Sequence, residues 1–174
     1  MSENINLNFY SFATMNEDYK VFTTLKDEVT FQYPDYWLDE MENGMTYVFY
    51  EEFLGSFRVT PRTMDPEKFD STEYLYNEFL KKEEFEPEWK TLGGREFLYY
   101  EGDWANGKHI YRIHHYITGY KNVLLTCSFA YDSSLLKDEI GANEIKKEII
   151  GAESALASMK IKGEPKKKTP AKKA

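Results

Sequence analysis

From Val29 to Tyr33 apolar and polar residues alternate, with Val29, Phe31 and Tyr33 on one side of an extended chain and Thr30 and Gln32 on the other. A period of two predicts a half-buried β-strand. Pro34 lacks an N–H to donate and ends it, and Trp37 is expected to fold back onto the core. Stretches rich in β-branched and aromatic residues at 7–12, 19–24, 46–51 and 54–61 read as further strands, with Asn43-Gly44 as a turn pair.

The period changes over 69–84. Asp70 with Glu73 three residues later fits a capping box, and Leu75, Tyr76, Phe79 and Leu80 recur at helical spacing as one apolar stripe. A hairpin is expected next, 95–102 against 108–118, because Asn106-Gly107 suits the positive φ angles of a type I′ turn. With those two as the loop, Glu101 faces Arg112, Tyr99 faces His114 and Phe97 faces Tyr116. A third strand, 123–131, puts Val123, Leu125, Cys127, Phe129 and Tyr131 on its apolar side. Capped from 132–134, the last helical segment carries Ile145, Ile149, Ala152, Leu156 and Met159 inward, with Lys146, Lys147 and Glu148 pointing away. Gly141 and Gly151 each cost about 1 kcal/mol relative to alanine, so two helices from Leu135 onward are as consistent with the pattern as one.

These elements predict an α+β fold, a central antiparallel sheet flanked by helices, in a single domain over 1–162. The rest, 163–174, has two prolines, five lysines and no large apolar residue, and is expected to be a disordered tail. That tail carries +4 of the chain's net −8, so the domain itself stands at −12. A domain so acidic repels phosphate backbones, which leaves nucleic acid at most a weak contact through the tail. No stretch approaches the roughly 20 apolar residues of a membrane span, and the start lacks the order of a signal peptide. With Cys127 the lone cysteine, a reducing, cytoplasmic setting is expected.

A strand ending in Tyr33-Pro34-Asp35-Tyr36-Trp37, a Gly-bearing hairpin, a helix, Gly93-Gly94-Arg95-Glu96 opening a long meander, and a final helix ending in Ser158-Met159-Lys160-Ile161 together resemble the PsbP-like fold over roughly residues 20–162. The similarity is greatest to its uncharacterised bacterial members. It implies an α/β/α sandwich and a binding or assembly role, and carries over no catalytic residues.

The residues themselves point away from catalysis. His114 and His115 sit on opposite faces of a strand, and His109 lies about 20 Å along it from His115, so the three cannot ligate one metal. Cys127 belongs to an apolar strand, no nucleophile elbow appears, and Gly93-Gly94 reads as a turn rather than a phosphate loop. No cofactor is expected. The candidate partner surface is the hairpin face with Tyr99, Glu101, Arg112, His114 and Tyr116, with Trp104 at the tip, since aromatic and Arg side chains are enriched where proteins hold partners. A helix covering this face is the competing reading, and the opposite face, with Leu98, Tyr100, Tyr111, Ile113, His115 and Ile117, looks more core-like. If Val123 shares the core with that opposite face, the loop before it needs odd length or a bulge. The expected function is a non-catalytic protein-binding module whose partner is unidentified, with a basic protein as the candidate. The alternatives are an immunity-type protein neutralising a basic toxin, or a ligand-binding protein or enzyme with a pocket between sheet and helix.

Overall fold

A computed structural model describes residues 18–165. The strand expected at 7–12 and the lysine-rich tail from 166 lie outside the described residues. In chain order the elements are β1 (Tyr19–Thr23), β2 (Val29–Pro34), β3 (Leu38–Glu42), β4 (Thr46–Glu51), β5 (Gly55–Thr63), α1 (Ser71–Lys81), β6 (Glu88–Leu92), β7 (Arg95–Asn106), β8 (His109–Tyr120), β9 (Val123–Asp132), α2 (Glu139–Ser158) and β10 (Lys160–Ile161). Seven strands form one antiparallel sheet in the order β3-β4-β5-β9-β8-β7-β6. The class is the α+β expected. A second sheet, β1-β2-β10, was not expected: the opening strands pair with the end of the chain instead of extending the large sheet.

Burial explains the layering. On one face of the large sheet, Phe49, Phe57, Phe97 and Phe129 are closed over by Val29, Phe31 and Tyr33 of β2 and by Ile145, Ala152 and Leu156 of α2. Phe31 meets Phe49 edge-on at 5.2 Å, a geometry that adds to plain area burial. The other face is covered only in part. Leu75 of α1, with Phe69 and Phe79, seals Leu98, Tyr100, Ile117 and Leu124, and the half of the sheet beyond them stays open.

The helix signals resolve in detail. Asp70 caps α1, accepting from the backbone N–H groups of Thr72 and Glu73. Of the expected stripe only Leu75 and Phe79 pack inward, while Tyr76 and Leu80 are exposed. The last segment is divided not at a glycine but at Asp138, the cap of α2, which follows a 3-10 turn at Ser133–Lys137. Gly151 stays helical and fits against Trp37, where a Cβ would approach the indole to 3.0 Å. Glu148 does not point away. It is 1% exposed and accepts hydrogen bonds from Trp37 Nε1 at 2.5 Å and Tyr36 Oη at 3.0 Å.

Three strand features differ from expectation. β3 falls on the acidic run Leu38–Glu42 and β6 on Glu88–Leu92, the two edges of the large sheet, where charge is tolerated because one side faces water. In the β7–β8 hairpin Asn106 pairs with His109, so the loop is Gly107-Lys108 and the register sits two residues from the one expected. Gly107, at φ 61, takes the first loop position, as in a type II′ turn. A shift of two keeps every side chain on its face but changes its partners: Tyr99 opposes Tyr116, and Glu101 opposes His114. β8 and β9 are joined by Lys121 and Asn122 without a bulge, which places the Val123 face with Tyr116 and His114, not with Ile117. Glu164 also belongs to the folded body beyond the expected boundary at 162, paired with Arg95 at 2.5 Å. Among the described residues no helix is long and apolar enough to cross a membrane.

Candidate functional site

Five of the six expected surface residues, Tyr99, Glu101, Arg112, His114 and Tyr116, share one face of the β7–β8 hairpin. Strand alternation places Trp104 on the other. The shared face is the one that α2 partly covers. Tyr116 is wholly buried and His114 is 8% exposed, so neither is a surface residue. Tyr116 Oη donates to Glu153 of α2, which also receives Lys90 Nζ at 2.5 Å. The polar groups of this face thus close the rim of the core.

The proton positions follow from the acceptors. Glu101 can only accept, so Tyr99 gives its hydroxyl proton to Glu101 at 2.6 Å, and the 2.8 Å contact to His114 must be donated by Nδ1–H. His114 Nε2 is then a bare acceptor, buried without a protein partner. Burial pushes the His114 pKa down and keeps the ring neutral, so the 3.7 Å approach of Glu101 is no ion pair. For Glu101, burial raises the carboxyl pKa, but the hydrogen bonds from Tyr99 and Arg112 and the charge of Arg112 outweigh it and hold the group ionised. Arg112 lies across Asp103, its register partner, at 2.5 Å and reaches Glu101 at 3.2 Å. This cluster orients and braces; its hydrogen bonds are spent on one another.

The uncovered half of the opposite face forms a trough of about 970 Å³. One row across the strands reads Tyr50, Ser56, Ala130, Ile113 and Gly102, and the next reads Val48, Arg58, Ser128, His115 and Tyr100. Small residues in the middle strands make the floor low. Trp104, its ring tilted against Tyr111 at 5.5 Å, stands at one end, and the turn between β4 and β5 with Phe53 stands at another lip. The carboxylates of Glu40, Glu52 and Asp132 line it against a single guanidinium, Arg58. Arg58 bonds Ser56 and reaches Glu42 at 3.4 Å, and Asp132 holds His109 at 2.5 Å, its pKa pushed down to about 2 by the Ser134 backbone N–H and by His109. Of the expected residues only Trp104 lies here. The trough is legible in part from the alternation of β8, which puts Tyr111, Ile113 and His115 on one face, although that face reads as core.

His115 stacks on Tyr100 at 4.5 Å, and burial, with the charge of Lys82, pushes its pKa down to about 4. An unfolded chain binds this proton near the ordinary 6.5, so stability is full above pH 6.5 and falls as pH drops toward 4. The shift would correspond to about 3 kcal/mol, and solvent at the ring reduces that to about 1–2 kcal/mol. His115→Phe should therefore lose less stability than the parent between pH 7.5 and pH 4.5 in urea denaturation. Parallel losses would refute the assignment.

In fold the chain is similar to a protein of Bacteroides thetaiotaomicron (TM-score 0.66, 18% identity). The match covers 84% of this chain and 50% of that one, so this chain spans about half the length of that protein. It is similar also to the cyanobacterial PsbP of Synechocystis (TM-score 0.43, 12% identity, 86% of this chain and 95% of that one). A further match is the Ran-binding protein Mog1p of Saccharomyces cerevisiae (TM-score 0.46, 13% identity, 85% and 96%). The last two have the PsbP-like fold. No curated protein matches the chain in sequence. The family profile that does match covers residues 17–172, and the chain belongs to that family, DUF3805, a domain of unknown function.

Proposed function

We propose that the protein is a non-catalytic binding module that takes up a basic protein partner on the open half of its large sheet. The observation that carries this reading is the trough, with aromatic side chains, Trp104 and Phe53 among them, on a lining where three carboxylates outnumber one guanidinium. Large aromatic groups supply contact area at small entropic cost, and a negative rim steers a cationic partner into it. The domain charge of −12 acts in the same sense over a longer range and weakens with salt. Neutralisation of a basic toxin is one form this role takes. The reading of a binder rather than an enzyme is supported by Cys127, fully buried with its thiol pKa pushed up by burial, and by the self-satisfied Tyr99–Glu101–Arg112 cluster. A reduced, buried lone thiol also suits a cytoplasmic setting.

The test is a titration with a basic octapeptide of alternating Arg and Leu, followed by the Trp104 indole N–H resonance at low and high salt. Glu40→Lys with Glu52→Lys should weaken binding at least tenfold at low salt, whereas Glu83→Lys with Glu84→Lys, a reversal of equal size outside the trough, should change it less than twofold. Equal losses from both pairs would mean that diffuse charge, not the trough, holds the peptide. Saturable binding of a small neutral ligand with no response to the peptide would favour a ligand-binding protein instead.

A further inference from the structure

Phe53 stands in a backbone conformation that its own side chain opposes. Its φ is 70°, and the other non-glycine residues of positive φ among the described ones are Asp27, Asn43, Glu86 and Lys121, none of them aromatic or β-branched. In a left-handed conformation the Cβ crowds the backbone, and a bulky residue there is a genuine outlier. The N–H of Leu54 donates to the Glu51 carbonyl at 3.3 Å, so Phe53 occupies the third position of a β-turn, where positive φ calls for glycine or asparagine. Nothing in the fold compensates, because the side chain is 92% exposed. Strained residues of this kind gather at ligand clamps.

We propose that Phe53 is the apolar anchor of the docked partner, gripping an extended segment in which cationic and aliphatic side chains alternate. This rests on the reading of the trough as a binding site. The segment's chemistry follows from the lining. An extended chain turns successive side chains to opposite sides, so one set meets Ile113, Ala130, Tyr50 and the Phe53 ring while the other reaches Glu40, Glu52 and Asp132 at the rim. Strands β4, β5, β9 and β8 span roughly 14 Å at about 4.8 Å each, the length of about four extended residues.

Two acetylated octapeptides, alternating Arg with Leu or Arg with Ser, separate the anchor from the charged rim when titrated against the full chain. Phe53→Asn removes the ring and suits the backbone, so without peptide it should melt about 2–4 °C higher than the parent. It should bind the Arg–Leu peptide at least tenfold more weakly and the Arg–Ser peptide as the parent does. Phe53→Leu, which keeps an apolar side chain in the strained turn, should retain most of the Arg–Leu affinity and show no rise in melting temperature. Unchanged Arg–Leu affinity in Phe53→Asn would overturn the anchor and leave the trough reading standing. A lower melting temperature in that variant would overturn the premise that the fold carries Phe53 at a cost. Failure of the parent to bind either peptide would sink the trough reading, and the anchor with it.

Discussion

Gly93→Ala is expected to remove about 2–4 kcal/mol of folding stability, at its upper end close to the most that one methyl group costs a domain of this size. Gly93 turns the chain between β6 and β7 at φ 56, directly beneath the end of α2. A Cβ there would lie 1.9 Å from the Ala157 carbonyl oxygen and 2.7 Å from its carbon. These are backbone atoms, so relief requires moving the helix, and its neighbouring residues Ala155 and Leu156 are wholly buried. Overpacking of this kind costs about 1–3 kcal/mol, and the left-handed conformation adds about 1 kcal/mol for any residue with a Cβ. Gly44 provides the control, with φ 68 and no atom within 4 Å of a built Cβ. Gly44→Ala should show only the conformational part, about 1 kcal/mol in urea denaturation. Equal losses in the two variants would mean that the β6–β7 turn does not seat α2.

The second large effect is expected at Glu148. Glu148→Ala leaves the buried Trp37 N–H without an acceptor and opens a cavity beside an indole that is 1% exposed, a combined loss of about 3 kcal/mol. Glu148→Gln behaves differently, because the amide oxygen still accepts from Trp37. Burial raises the Glu148 pKa above its ordinary 4.5, and nearby Glu51 adds to the shift, against the hydrogen bonds from Tyr36 and Trp37. The folded chain therefore keeps this proton to higher pH than the unfolded chain does. Its contribution is full below pH 4.5 and declines as pH rises through the folded value. The stability of Glu148→Gln relative to the parent should accordingly improve from pH 4 to pH 8. A relative stability that worsens over that range would show that the ionised carboxylate is the favoured form in the core.

How far the fold can be read from the chain differs element by element. The alternation at Val29–Tyr33 and the Asp70 cap are local, since each depends on backbone geometry within a few residues, and each forms where expected; the Asn106-Gly107 pair marks the hairpin, though the loop itself is Gly107-Lys108. The hairpin register was the less secure part. Both a type I′ loop at Asn106-Gly107 and a type II′ loop with Gly107 first satisfy the same dipeptide, and a slip of two leaves the faces unchanged. The acidic run of β3 carries no strand signal, because nothing local separates an exposed edge strand from a solvated loop. Glu148 reads as outward-facing for a similar reason: its two donors, Trp37 and Tyr36, lie more than a hundred residues earlier.

The candidate site was legible as a composition but not as a place. Both faces of β7–β8 mix aromatic with polar residues, and no pattern within the hairpin says which one a helix will cover. α2 returns to the Tyr116 face and brings Glu153 to its hydroxyl, which buries Tyr116 and His114 and leaves the side chains of Glu101 and Arg112 partly exposed. α1 is only 11 residues long and reaches no farther than Leu98, Tyr100, Ile117 and Leu124, which leaves the Trp104 half open.

Chain-local physics therefore determined the alternating strands, the helix α1 with its cap and the acidic balance of the domain, because periodicity, capping and charge are properties of neighbours in sequence. Which sheet face became core, where the trough opened and why a glutamate lies under Trp37 were decided by tertiary structure alone. Burial is a contest between surfaces brought together from distant parts of the chain, and its outcome depends on where the helices return.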